Sequence, residues 1–323
     1  MLAFILRRLG QAVLVMLVVG FIAFSLFRFV GDPVLFMLGQ DATEEQRQQV
    51  TRDLGLDRPF VVQYWSFVKN AAQGEFGLSL RQVAPVSRLF VERLPATLEL
   101  SIAAALFALV LGIPMGVYTA LKRNSWLSHI LLAVSLAGVS LPTFLIGILL
   151  ILIFSVYLGW LPSFGRGDTV QLGWWSTGLL TGSGLKALVL PAITLGLFQM
   201  TLIQRLVRSE MLEVLRTDYI RFARARGLTD RAVHFGHALK NTLVPVITIT
   251  GLQLGAIIAF AIITETVFQW PGMGLLFIQA VTVADVPVMA AYLCLIALFF
   301  VVINLTVDLL YYAVDPRLRL KPT

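Results

Sequence analysis

Long apolar runs separated by polar segments are the main feature of the chain. Residues 9–30 form the first run, which follows two arginines and has roughly the 20 residues that a helix needs to cross a bilayer. Further runs predict spans over about residues 97–121, 185–206, 244–263 and 289–311. The run over residues 126–161 is too long for one straight crossing, so we expect a tilted or broken span centred near Pro142. The pattern predicts an all-α integral membrane protein with six transmembrane helices.

The longest polar segment, residues 31–96, separates the first span from the second. It carries seven Lys or Arg against eight Asp or Glu, a balance expected outside the cytoplasm. Two amphipathic stretches in it, residues 43–53 and 60–72, predict short helices that pack over an outer mouth. We therefore predict an N-terminal transmembrane helix over 1–30, an extracytoplasmic segment over 31–96, and a five-helix core over 97–323 with a cytoplasmic loop at 207–243.

A polar loop interrupts the apolar pattern in the second half of the chain. Several of its residues recur at alternating steps of three and four, which predicts a helix with one mostly apolar stripe. These residues are Leu212, Leu215, Tyr219, Phe222 and Arg226. Asp218, Arg221 and Arg224 would face away from the stripe. Such a helix is suited to docking against another surface rather than to crossing a membrane.

The same loop contains signals for a tight turn between two helices. Gly227 follows the last periodic residue, and glycine closes a helix end that needs a positive φ more easily than other residues do. Thr229 can cap the following helix through its hydroxyl group. We expect a helix, a glycine turn and a second helix.

Charge distribution predicts how the spans are oriented. From Arg205 to Asn241 there are eight Lys or Arg and four Asp or Glu, and the tail after Asp315 is also basic. Because basic loops stay on the cytoplasmic side, this loop and both termini are expected there. No small-residue cleavage pattern follows the first apolar run, so we interpret it as a retained anchor.

Composition supports a membrane protein and argues against other classes. The chain is 58% hydrophobic and 13% charged, whereas soluble domains have roughly 25% charged residues. Its net charge of +7 fits basic loops that face anionic lipid, and we expect no nucleic-acid partner. The one cysteine, Cys294, can form no intrachain disulfide, so cysteine usage does not indicate the compartment.

Motifs for catalysis are missing from the sequence. It has no G-x-x-x-x-G-K-[ST] loop to hold ATP phosphates, so the energy for any pumping must come from another subunit. It also lacks a G-x-S-x-G nucleophile elbow and an H-E-x-x-H zinc helix. His234 and His237 have no further ligand nearby to complete a metal site. We expect no catalytic residue and no metal.

Several compound motifs resemble those of one transporter family. The words DYIRFARARGL and HALKNTLVPV in the polar loop, GDPV, LGLDRP and GEFGLSLR near the N-terminus, and TETVFQWPGMG after the fifth span are similar to those of dipeptide and oligopeptide permeases of ABC importers, in their B-type form. The general Glu-Ala-Ala pattern of such permeases falls on Arg221, Phe222 and Ala223, and of this pattern only Ala223 and the later Gly227 match. The resemblance extends over nearly the whole chain.

This resemblance implies a type I ABC importer permease fold and a coupling helix that docks in a groove of an ATPase subunit. The implied coupling residues are Arg221, Phe222, Ala223, Arg224, Ala225, Gly227, Leu228, Thr229 and His237. The implied partners are a second homologous permease, two cytoplasmic ATP-binding subunits, an extracytoplasmic solute-binding protein and membrane lipid. No cofactor is expected on this chain, because ATP and Mg²⁺ would bind the partner subunits. The implied location is the bacterial inner membrane.

Polar residues within the predicted spans are further candidates for function. They are Glu99, Gln199, Gln253, Glu265, Asn304 and Asp308. Charge in hydrocarbon is unfavourable, so each should face a cavity, a partner or another polar group. The resemblance at TETVFQWPGMG suggests an outer gate formed by Glu265, Trp270, Pro271 and Gly272, with a turn at the last two residues. The alternative is a membrane-edge anchor that uses the tryptophan.

Glycines in the second span indicate a close helix contact. Gly112 and Gly116 lie four residues apart, a spacing that permits helices to approach closely, and we interpret it as packing.

The expected function is one half of an ATP-driven path for dipeptides, oligopeptides or related small solutes. Similar permeases also serve glutathione and nickel complexes, so the resemblance leaves the solute open. A stand-alone secondary transporter is an alternative of a different class. It would be favoured by paired charges at the midplane or by an inverted repeat, and the sequence shows neither. An intramembrane enzyme would need a nucleophile and base set, which the sequence does not offer.

Overall fold

The computed structural model describes residues 2–29, 34, 38, 43–53, 55–79 and 81–314. Most of its regular structure is α-helical. The helices are α1 Leu2–Phe29, α2 Glu44–Asp53, α3 Phe60–Ala72, α4 Val86–Leu121, α5 Trp126–Ser140, α6 Thr143–Leu150, α7 Gly182–Val214, α8 Asp218–Ala225, α9 Leu239–Val267, α10 Met273–Thr282 and α11 Val286–Val314. Two segments, Ile151–Tyr157 after α6 and Ala232–Ala238 before α9, are π-helical. Strands β1 Val170–Leu172 and β2 Trp175–Thr177 form a hairpin.

Within these described residues, five helices are long and apolar enough to cross a membrane, and a bent pair can supply a sixth span. The pair consists of α5 and the continuous helix Thr143–Tyr157, which is formed by α6 and the π-helical segment after it. The chain bends by 113° between the two helices. The bend occurs where Leu141 adopts extended geometry before Pro142, because a proline disfavours the helical conformation in the residue that precedes it. The predicted break near Pro142 is confirmed, and that the pair forms a single third span stays a prediction.

Helix ends differ from the predicted span ends. Helix α4 begins at Val86, upstream of residue 97, and α7 continues to Val214, beyond residue 206. The hydrophobic pattern detects the part of a helix that can lie in hydrocarbon, whereas backbone hydrogen bonding continues into polar sequence. Helix α10 and the hairpin were not predicted, because each is too short to produce an apolar run of the length of a span. The short helices at 43–53 and 60–72 are confirmed as α2 and α3.

The chain divides into two compact units. The smaller one comprises Met1–Ala96, Gln171–Ser176 and Pro271–Val302. Here α3 packs on α1 through aromatic rings, and the Phe24 and Phe60 centroids lie 5.1 Å apart. The start of α4 packs with α10 and α11 around a separate apolar cluster. Amphipathic α3 is therefore attached to the first span by its aromatic face.

The larger unit comprises Thr97–Val170, Thr177–Trp270 and Ile303–Thr323. In it α4 and α7 approach closely at the two glycines. A Cβ atom on Gly116 would lie 2.6 Å from Val207 Cβ, and one on Gly112 would lie 2.9 Å from the Met200 carbonyl oxygen. No side chain fits at either position without a shift of the neighbouring helix, so the predicted packing role of these glycines is confirmed.

Candidate coupling site and outer polar cluster

The polar loop forms a short helix that is separate from the span before it. Helix α7 ends at Val214, and α8 begins after Thr217, whose hydroxyl donates a hydrogen bond to the Val214 carbonyl at 2.6 Å. This break shifts the helical phase, so the predicted apolar stripe across residues 212–226 is wrong. Helix α8 buries Ile220 and Ala223 instead, and leaves Phe222 64% exposed.

Gly227 closes α8 as the sequence predicted. Its φ is +76°, in the region where glycine carries no steric penalty. Its N–H donates to the Arg224 carbonyl at 2.9 Å, and the Leu228 N–H donates to the Ala223 carbonyl at 3.4 Å. The Ala232 N–H then donates to the Thr229 hydroxyl oxygen at 3.4 Å, which confirms the predicted cap. The turn is defined by these local hydrogen bonds.

One buried apolar cluster joins α8 to the spans of the larger unit. Its members come from α4, α7, α8, the π-helical segment and α9. They are Ala108, Val117, Ala120, Met200, Ile203, Val207, Met211, Ile220, Ala223, Val233, Ala238 and Val246. Packed interiors are dense and transmit displacement instead of absorbing it. A movement of α8 should therefore be passed to α4, α7 and α9.

Several apolar and basic side chains of α8, the glycine turn and the π-helical segment are exposed. Tyr219, Phe222, Leu228 and Phe235 are exposed, and we call these four residues the docking face. The exposed arginines around it are Arg221, Arg224, Arg226 and Arg231. The Arg226 guanidinium lies 5.9 Å from the centre of the Phe222 ring. Exposed apolar side chains with a polar surround are typical of protein interaction sites.

The structure separates the predicted coupling residues into two groups. Ala223 is buried and belongs to the apolar cluster. The others are exposed, namely Arg221, Phe222, Arg224, Ala225, Gly227, Leu228, Thr229 and His237. Phe235 was not singled out from the sequence. A phenylalanine in a basic loop, two residues before His237, was a usable signal. The role of the predicted coupling residues in coupling stays a prediction.

A second group of polar side chains is buried at the predicted outer end of the larger unit. Arg166 donates a hydrogen bond from Nη2 to Glu99 Oε2 at 2.6 Å, and both side chains are almost fully buried. The Gly178 N–H donates to the same oxygen at 3.4 Å. Thr97 Oγ1 donates to Glu265 Oε1 at 2.6 Å. Two of the candidate intramembrane carboxylates therefore contact polar groups within this unit.

Arg166 was missed by sequence reasoning. It lies in a loop where an arginine is ordinary, and its partner is 67 positions away in the chain. Its guanidinium also lies 6.0 Å from the centre of the Trp270 ring. No short motif reports such a contact, because only the fold brings the two segments together.

The residues proposed for an outer gate differ from expectation in two respects. Trp270 is only 1% exposed, so the alternative of a membrane-edge anchor is wrong. The predicted turn at Pro271 and Gly272 is also displaced, since the residue with left-handed geometry is Gln269, with φ 48°. Gly272 is extended and precedes α10. Glu265 is fully buried, and the side chain of Asp308 lies outside the described residues.

Two family matches cover almost the entire chain. Residues 1–101 match a family described as "Binding-prot-dependent transport system membrane comp, N-term". Residues 112–320 match the one described as "Binding-protein-dependent transport system inner membrane component". The chain belongs to this family. Binding-protein-dependent permeases are the membrane subunits of ABC importers, so the predicted class is confirmed and the stand-alone secondary transporter is wrong.

Full-length relatives agree with this membership. The permease is 44% identical to the di/tripeptide transport system permease protein DppB of Pseudomonas aeruginosa, with 99% of each chain covered. It is 40% identical to the dipeptide transport system permease protein DppB of Escherichia coli, with 99% of this chain and 100% of that one covered. The MetNI methionine ABC transporter, in an inward-facing conformation, shares the fold with a TM-score of 0.57 at 21% identity, over 70% of this chain and 96% of that chain. The predicted type I importer fold is thereby confirmed.

Family membership also establishes the general setting of the permease. It is an inner membrane protein with several apolar helices. A permease of this family works with an ATPase and with a solute-binding protein.

Proposed function

We propose that this permease carries dipeptides and other short peptides across the inner membrane in an ATP-driven importer. The observation that carries the proposal is its 40–44% identity, over essentially the full length, to permeases named for dipeptide or di/tripeptide transport. Glutathione and nickel complexes are the alternative cargoes that the sequence resemblance allows.

The proposed complex contains this chain, a second homologous permease, two cytoplasmic ATP-binding subunits and an extracytoplasmic binding protein. ATP and Mg²⁺ bind the ATPase subunits, and this chain binds no cofactor and catalyses no reaction. Both termini and the α8 region face the cytoplasm. The excess of eight Lys or Arg over four Asp or Glu between Arg205 and Asn241 supports this orientation.

The docking face contacts the ATPase subunit in this proposal. Phe222 and Leu228 would supply apolar contact area, and the neighbouring arginines would pair with carboxylates or carbonyl groups of the groove. When ATP closes the two ATPase subunits, they draw the α8 helices of both permeases together. The buried cluster that contains Ile220 and Ala223 then carries this motion into α4, α7 and α9, and the path opens toward the outside.

Peptide transport is tested with the complete complex in liposomes. With the binding protein outside and ATP inside, radiolabelled alanyl-alanine should accumulate, and unlabelled dipeptides should compete for uptake. Free alanine should not compete, because it has no peptide group. Accumulation of a solute without peptide groups, together with no uptake of alanyl-alanine, would refute the proposed cargo while leaving the importer class intact.

Phe222→Asp should lower the amount of ATPase subunit that co-purifies with the permease by about tenfold, since it places a charge where an apolar contact is expected. Membrane insertion should not change, because the side chain is 64% exposed. Leu180→Asp is the matched control. Leu180 is 65% exposed and precedes α7 on the predicted outer side, so its variant should retain the ATPase. Equal retention in both variants would count against the docking face.

A further inference from the structure

The larger unit contains a cavity beside two helices that pack against each other, α7 and α9. It has a volume of about 330 Å³ and lies along α7 and α9, with Thr143 at the start of α6 also in its wall. This volume is within the range of roughly 300–1,000 Å³ that small-molecule sites occupy. Most of the wall is apolar, with Leu195, Ile257 and Phe260 among its residues, and none of the described lining residues is charged.

Two glutamines supply the main polar groups of this wall. Gln199 on α7 is 6% exposed, and among the described residues its Oε1 accepts no hydrogen bond. Gln253 on α9 lines the same cavity and is half-buried. A buried amide oxygen without a donor is unfavourable and calls for an explanation. The neighbouring cavity is where a ligand donor could reach this side chain.

The two glutamines lie at similar depths in antiparallel spans. Gln199 is about 10 Å along the helix from the predicted inner end of its span at residue 206, at 1.5 Å per residue. Gln253 is about 12 Å from Pro245, where its span begins, on the same scale. A hydrocarbon core is about 30 Å thick, so both amides are near its middle. Transporters commonly bind their solutes at this depth.

We propose that this cavity is a binding subsite for the peptide group of the transported solute, an inference that rests on the proposed function. A glutamine amide offers both a donor and an acceptor, which matches the carbonyl oxygen and N–H of a peptide group. This recognition does not depend on the side chains of the peptide, which pack against Leu195, Ile257 and Phe260. The described part of this wall offers a peptide hydrogen bonds and apolar contacts but no ion pair, which favours release as well as binding.

The test combines transport with photocrosslinking in the reconstituted complex. The double variant Gln199→Leu, Gln253→Leu should lower ATP-driven uptake of alanyl-alanine by about tenfold, as expected for the loss of one to two hydrogen bonds. Binding-protein-stimulated ATP hydrolysis should stay within about twofold of wild type, since the variant leaves α8 unchanged. A dipeptide of alanine and photo-leucine should label α7 or α9 in wild type, and alanyl-alanine should suppress the labelling.

Gln204→Leu is the matched control. Gln204 is another fully buried glutamine on α7, its side-chain Nε2 and Oε1 have no hydrogen-bond partner among the described residues, and it does not line the cavity. Its variant should keep wild-type uptake and labelling. Gln199→Asn, which retains the amide, should keep more uptake than Gln199→Leu.

Three outcomes would overturn the subsite. Normal uptake and labelling in the double variant would refute it while peptide transport itself stands. Loss of the partner permease from the purified double variant would assign the amides to subunit packing. Failure of the wild-type complex to transport any peptide would remove the proposed function, and the subsite with it.

Discussion

Glu99→Leu is expected to destabilise the permease by about 3–5 kcal/mol, the usual effect of removing one member of a buried ion pair. The variant removes the carboxylate that lies 2.6 Å from Arg166, whose side chain is almost fully buried. The buried guanidinium would then keep its charge after losing this close carboxylate. Thermal unfolding of the purified permease in detergent should show the loss as a lower midpoint.

A double variant and a surface control sharpen this test. Glu99→Leu with Arg166→Met replaces the pair by apolar groups, a change that is often neutral, so the double variant should recover most of the lost stability. Arg88→Ala breaks the exposed pair Arg88–Glu92 and should change stability by about 1 kcal/mol or less. If Glu99→Leu and Arg88→Ala unfold at the same temperature, the buried pair does not stabilise the permease.

Gly227→Pro is expected to abolish peptide uptake while the permease still inserts into the membrane. Proline fixes φ near −65°, whereas Gly227 has φ +76°. Proline also lacks the N–H that bonds the Arg224 carbonyl at 2.9 Å. The end of α8 must therefore change its path, and the docking face changes with it. Uptake should fall by roughly two orders of magnitude, and ATP hydrolysis should no longer respond to the binding protein.

Gly227→Asn and Gly227→Ala separate backbone conformation from side-chain bulk. A Cβ atom at Gly227 would meet nothing within 4 Å, so space does not limit either variant. Asparagine tolerates left-handed geometry better than alanine, and we expect Gly227→Asn to transport more than Gly227→Ala. Normal uptake by an assembled Gly227→Pro complex would show that the turn is not required for coupling.

Local features of the fold were predictable because they depend on neighbouring residues. Pro142 interrupts a long apolar run, and the chain bends there by 113°. Proline has no backbone N–H to donate and disfavours helical geometry in the residue before it. Gly227 and Thr229 have the turn and cap geometry that their types predict. Thr43 caps α2 in the same local way, by accepting a hydrogen bond from the Gln46 N–H at 3.3 Å.

Longer-range features were not predictable from periodicity. A stripe across residues 212–226 fits one helix, but the chain leaves α7 at Val214 and starts α8 at Asp218, so the positions before and after the break do not share a face. Trp270 has the residue type of an interface anchor, yet it is buried. Trp270 lies 6.0 Å from the guanidinium of Arg166, which is distant in the chain. The break after Val214 includes a hydrogen bond from Thr217 to the Val214 carbonyl, which the apolar stripe does not reveal.

The sequence by itself determined the class of this protein. Its apolar runs are long enough to span a bilayer, its basic loops predict an orientation, and its motifs place it in a permease family, because each of these is a property of residues that are close in the chain. Only the tertiary structure decided that Glu99 meets Arg166, that Ile220 and Ala223 join α8 to the spans, and that Gln199 and Gln253 line one cavity. These juxtapositions depend on how separate helices pack, and hydrophobic periodicity carries no information about which helices are neighbours.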